Sequence, residues 1–157
     1  MKRILLLVGL VLIGMTTVSA KTIGKKELPK AVRDSFYARY PYLKGKLPLF
    51  SGVKWYTMNK QQYYAAFSQK GKEIVIAFAE DGSWLETATE LYAEDIPEFI
   101  QTILAKNYKG YDIFGAEKVI SSNGAEYYRI EMDNGSRSIL SILNYDGGLL
   151  AEEKTSY

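Results

Sequence analysis

Three aspartates, Asp81, Asp133 and Asp146, are the residues best placed for carboxylate chemistry, either as acid–base groups or as oxygen ligands for calcium. Each stands directly before Gly or Asn-Gly, and that is the chemistry of a turn, because Asp bonds its own backbone and Gly supplies positive φ. A calcium loop needs alternating oxygen ligands that close on a distant Glu. The stretch GSRSILSILNYDGG has no such spacing. Glu80 and Asp81 are adjacent on a turn rather than convergent on a pocket. The chain has no His and no Cys. Ser-His-Asp triads, Cys-His pairs and the usual zinc sites are thereby excluded. The sequence predicts no catalytic residue, no metal ligand and no cofactor, so the protein is read as a non-enzyme.

Aromatic residues are the more informative set. Thirteen tyrosines occur in 157 residues, and Tyr offers a large, stiff apolar body with a polar tip at recognition surfaces. Alternation along a strand sends neighbouring side chains to opposite faces. If Tyr63, Ala65 and Phe67 face a core, Tyr64 and Ala66 face away, and if Trp55 is inward, Tyr56 is not. In the same way Tyr127, Arg129 and Glu131 oppose Tyr128, Ile130 and Met132. The expectation is an open sheet face carrying Tyr56, Tyr64, Tyr127 and Arg129, which would engage a protein or peptide partner. Tyr also has high strand propensity, and cross-strand aromatic pairs stabilise sheets without binding anything.

The elements that would position these residues recur along the chain. LPKAVRDSFYARY (28–40) and IPEFIQTILAKNY (96–108) write one amphipathic phrase twice. Leu28, Val32, Phe36 and Tyr40 fall on one helical stripe, as do Ile96, Ile100, Leu104 and Tyr108. Pro29 and Pro97 open the helices where a missing N–H costs nothing. Pro41 stops the first, and Gly110 the second. Tyr63-x-Ala65-x-Phe67 and Tyr128-x-Ile130-x-Met132 then alternate as strands do, followed by Ile74-x-Ile76-x-Phe78 and Ile139-x-Ser141-x-Leu143. Each series reaches an Asp-Gly, the strongest short hairpin signal, expected here with positive φ at both central residues. QKGK at 69–72 and DNG at 133–135 supply the remaining turns. The predicted fold class is α+β, a tandem repeat of two helix-plus-four-strand antiparallel units, repeat one over 26–94 and repeat two over 95–153. The two sheets are expected to join edge to edge or pack closely, with both helices on one side.

This pattern resembles the PepSY-like family of exported proteins. The carriers are Leu28-Pro29, Tyr40-Pro41, Trp55, Tyr63, Phe67, Phe78, Asp81-Gly82 and Trp84. The second copy keeps Ile96-Pro97, Tyr108, Tyr128, Leu143 and Asp146-Gly147, with Lys109 in place of Pro41 and Leu149 in place of Trp84. The resemblance implies a fold similar to that of the β-lactamase inhibitor protein, tandem units and an envelope location, and it brings no catalytic residue with it. That inhibitor is strengthened by disulfides, which a chain without Cys cannot form.

The N-terminal twenty residues read as a secretory signal. Lys2 and Arg3 precede eleven apolar residues, 4–14, and Ala20 follows Val18 and Ser19 as a small-residue cleavage site. Eleven residues are too few to cross a hydrocarbon core of about 30 Å. Cleavage after Ala20 would leave a periplasmic or secreted chain of 137 residues with 18 basic and 18 acidic side chains. Such a balance excludes a general nucleic-acid binder, and no stable membrane insertion is expected. Charge is nevertheless uneven, since residues 21–60 hold ten Lys/Arg and two Asp/Glu. Two further roles fit the same pattern: inhibition of a periplasmic hydrolase through the Asp81-Gly82 or 121–125 turn, and a structural envelope protein. The loop PYLKGKLPLF (41–50), with Gly45 and Pro48 between lysines, reads as a connector.

Overall fold

The computed structural model describes residues 21–44, 52–58 and 61–157. The expected signal segment lies outside them, as do positions 45–50 of the connector. The described elements are β1 (Lys21–Ile23), α1 (Lys30–Arg39), β2 (Lys54–Met58), β3 (Gln62–Gln69), β4 (Lys72–Ala79), β5 (Trp84–Glu90), α2 (Glu98–Asn107), β6 (Asp112–Ser121), β7 (Glu126–Asp133), β8 (Arg137–Asn144) and β9 (Leu149–Ser156).

The expectation of an α+β tandem repeat of helix-plus-sheet units is overturned. The described residues are mostly a single nine-stranded sheet, hydrogen-bonded in chain order from β1 to β9, with two helices. β5 pairs antiparallel with β6, Glu86 opposite Ser121 through Glu90 opposite Glu117. β1, ahead of α1, joins β2, as β5, ahead of α2, joins β6, so β5 both ends the first series of strands and leads into the second helix. The physical reason is backbone accounting. Two separate four-stranded units would each leave a row of N–H and C=O groups open, and joining β5 to β6 satisfies both rows.

The described residues form two compact units, one of those up to Ala65 with Ala77–Trp84, the other of Ala66–Ile76 with Leu85–Tyr157. In the first, Pro29 caps α1 and its carbonyl accepts from Arg33 N at 3.1 Å. The predicted stripe is buried at Leu28, Val32 and Phe36. Phe36 meets Trp55 edge-on with ring centroids 4.9 Å apart and Phe78 at 6.5 Å. In the second unit, Ile96, Ile100 and Leu104 pack with Tyr128, Ile130 and Met132. Ser141 lies inside that core, and its hydroxyl donates to the Tyr108 hydroxyl at 3.0 Å, so the buried oxygen is satisfied.

The Asp-Gly turns differ from the sequence expectation. Only the glycines have positive φ, +85° at Gly82 and +87° at Gly147, whereas Asp81 and Asp146 do not. The bond from Gly82 N to Ala79 O, with Ala79 N donating to Ser83 O, makes each a type I turn closed by a left-handed glycine. The two-residue turn with positive φ at both positions occurs instead at Lys70 and Gly71, +52° and +84°. The glycines at 82 and 147 are also packing positions. A Cβ on Gly82 would lie 2.7 Å from the Ala31 carbonyl oxygen of α1, and one on Gly147 would strike Ile103 Cδ1 of α2. No helix among the described residues is long and apolar enough to cross a membrane.

Candidate partner-binding site

β7 sets the geometry in the second unit. Its even-numbered residues Tyr128, Ile130 and Met132 are buried toward α2, which turns Tyr127, Arg129 and Glu131 to the other face. Residues directly opposite across an antiparallel ladder share a face. The register therefore lays out a row Glu90, Glu117, Arg129, Ile142, Ala151 from β5 to β9. A second row runs Gly115, Glu131, Leu140, Glu153.

Arg129 lies at the centre and is 5% exposed. Its Nη2 donates to Glu86 Oε1 at 2.7 Å and its Nη1 to Glu117 Oε2 at 3.0 Å. Tyr127 donates its hydroxyl to the second oxygen of Glu86 at 2.6 Å. A guanidinium this deep survives only with paired carboxylates, because a lone buried charge costs several kcal/mol, on the order of 3–5 when one partner is removed. Burial works to lower the Arg129 pKa, and the charges of Glu117 and Glu86 outweigh it, so the side chain stays protonated. Burial pushes Glu117 up to about 7 against the pull of Arg129, with Glu131, Glu86 and Glu73 adding to the rise. Burial and the Glu86 carboxylate hold Tyr127 up at about 12. Burial also raises Glu131, and Arg129 offsets part of that.

The four residues expected on an open face divide. Tyr56 and Tyr127 are half-buried and reach the surface. Tyr64 is 1% exposed, with its hydroxyl on Gln62 Oε1 at 2.9 Å, and Arg129 is equally withdrawn. Neither is presented to a partner. β3 and β4 are buried on both faces over Tyr63–Phe67 and Ile74–Phe78, so Tyr64 has no open side. The unbroken apolar runs YYAAF and IVIAF are what two-sided burial looks like in a sequence. Arg129 is drawn inward by its two carboxylates. Sequence reasoning missed Glu86 and Glu117, which supply that pull. Finding them needs the register of three strands, and a bulge between Ile113 and Gly115 shifts the β6–β7 pairing.

The aspartates serve turns. Asp81 Oδ1 accepts from Ser83 N at 2.8 Å, and Asp133 Oδ1 from Gly135 N at 2.6 Å. Both carboxyls are held below the usual carboxylate range by those backbone bonds. At the third turn the acceptor is Asn144, whose side chain takes Asp146 N at 3.0 Å and Gly148 N at 2.7 Å. The Asp81-Gly82 turn lies against α1 rather than projecting.

The family model described as "Putative beta-lactamase-inhibitor-like, PepSY-like" matches residues 61–147, which contain the whole Glu86–Glu117–Tyr127–Arg129 cluster. No curated protein matches the chain. Among solved structures, a DUF2874 family protein from Bacteroides uniformis is 17% identical with a TM-score of 0.69, covering 82% of this chain and 91% of its own. A structure from Bacteroides eggerthii described as "putative periplasmic proteins" is 16% identical with a TM-score of 0.69, covering 82% and 90%. A BLIP-like protein from Bacteroides fragilis is 20% identical with a TM-score of 0.64, covering 83% and 88%. At these identities the likeness is one of fold.

Proposed function

We propose, from the premise that this chain belongs to the β-lactamase-inhibitor-like, PepSY-like family, that it is an exported, non-catalytic protein that binds a protein or peptide partner. The partner docks on the sheet face of the second unit, around Tyr127, Leu140 and Ile142. The observation that carries this is the clamp on Tyr127. Its hydroxyl is fixed on Glu86, and Glu86 is fixed on Arg129. A half-buried ring held this way loses little freedom on binding, which is how a surface on rigid strands gains affinity. Export to the periplasm is supported by the Lys2-Arg3 and apolar 4–14 pattern, and by the description of the B. eggerthii relative as periplasmic.

Affinity capture from envelope extract, with chemical cross-linking, tests the reading. A partner held by the wild-type protein should be lost with Tyr127→Ala and with Ile142→Glu. It should be kept with Phe99→Ala, which removes an exposed ring on α2. Retention by both sheet variants overturns the proposed surface.

A further inference from the structure

We infer that the partner presents an extended cationic segment, and that one of its lysine or arginine side chains docks beside Glu131. This rests on the reading above that the face binds a partner. Charge is segregated in this chain. The described residues of the first unit hold eight Lys/Arg and four Asp/Glu, whereas those of the second hold eight Lys/Arg and fourteen Asp/Glu. The imbalance is sharper on the face turned away from α2. Glu86, Glu90, Glu117, Glu131 and Glu153 stand there by register, and Glu73 joins them through its backbone N–H on Glu90 Oε2 at 2.9 Å. Arg129 is the one basic side chain among the register partners of β5 to β7 on that face, and Glu86 and Glu117 already occupy it. Glu131, half-buried, has no ion-pair partner among the described residues.

A second and independent feature selects a peptide over a bare cation. No group of three Asp or Glu among the described residues is arranged to hold a metal ion, and a bare cation has no use for an apolar surface. An extended chain offers a cationic side chain for Glu131 and apolar side chains beside it. Leu140 and Ile142, half-buried between these charges, provide the apolar floor on which alternate side chains of such a segment would rest.

The test uses the full-length protein and three seven-residue amidated peptides that alternate Val with Lys, Val with Thr and Val with Glu, followed by fluorescence anisotropy. The Val/Lys peptide should bind, and raising the ionic strength from about 0.02 M to about 0.3 M should weaken it roughly tenfold. Glu131→Gln should weaken it about fivefold or more, while Glu98→Gln, a charge loss on exposed α2, leaves it unchanged. Equal binding of the three peptides, no binding of the Val/Lys peptide, or an equal loss with Glu98→Gln overturns the cationic assignment. If that happens while Tyr127→Ala still abolishes capture from extract, the binding surface stands and only the partner's charge is wrong. If Tyr127→Ala and Ile142→Glu both leave capture intact, the surface itself is refuted.

Discussion

Glu117 is 6% exposed and shares Arg129 with Glu86, so its charge is only partly compensated. Its pKa of about 7 in the fold lies above the ordinary 4.5. An acid raised in this way binds its proton more tightly when folded. The stability it contributes is complete below about pH 4.5 and is lost as pH rises through about 7, on the order of 3 kcal/mol in all. Asp34, Asp81 and Asp133 move the other way, and their contributions disappear only below the usual Asp range. Urea unfolding should therefore show lower stability at pH 8 than at pH 5. Glu117→Gln, which keeps the shape and drops the titration, should flatten that difference. An unchanged slope in the variant would mean that Glu117 is ionised throughout the range. The residue could not be singled out from the sequence. Its neighbours Ala116 and Val119 fit an ordinary half-buried strand, and nothing local says that Arg129 arrives opposite.

At the scale of the elements, legibility depended on how local the cause is. Both helices were readable because their determinants lie within one segment: a proline at the start, apolar residues on one stripe, and a stop at Pro41 or Gly110. α1 and α2 each span ten residues and bury the predicted stripe at Val32 and Phe36, and at Ile100 and Leu104. β3, β4, β7 and β8 were readable as strands from alternation, but in β3 and β4 both faces are buried and parity does not mark an open side. Joining of the sheets edge to edge was one of two expectations, and the pairing of β5 with β6 answers it, but its register was not readable, since edge satisfaction is a property of the assembled sheet. The Asp-Gly positions were found, but their turn type was not, because one glycine at positive φ serves either hairpin. These glycines can be tested against one another. Gly124→Ala meets only backbone strain, since nothing lies within 4 Å of the added Cβ. It should cost about 1–2 kcal/mol. Gly82→Ala adds a clash with the Ala31 carbonyl, and its melting temperature should fall clearly further than that of Gly124→Ala. Equal losses would mean that α1 yields freely over the turn.

For the whole molecule, the arrangement of nine strands in chain order has two ends, and β9 is one of them. It pairs with β8 from Arg137 opposite Ser156 to Leu143 opposite Leu149, with a bulge near Ile142. Leu149 and Leu150 on it are more than half exposed. An uncovered strand with apolar residues can recruit another chain, and charges along such an edge are the usual guard against it. Here Glu152, Glu153 and Lys154 supply them, with Lys154 Nζ 2.6 Å from Glu152 Oε1. Replacing the three by Thr, Val and Thr should leave the folded monomer's circular dichroism unchanged and yield thioflavin-positive fibres on concentration. A variant that stays monodisperse in light scattering would show that the bulge alone protects the edge. The three charges at the tail thus act on colloidal behaviour rather than on folding: they decide whether copies of this protein, crowded together, remain individuals or polymerise.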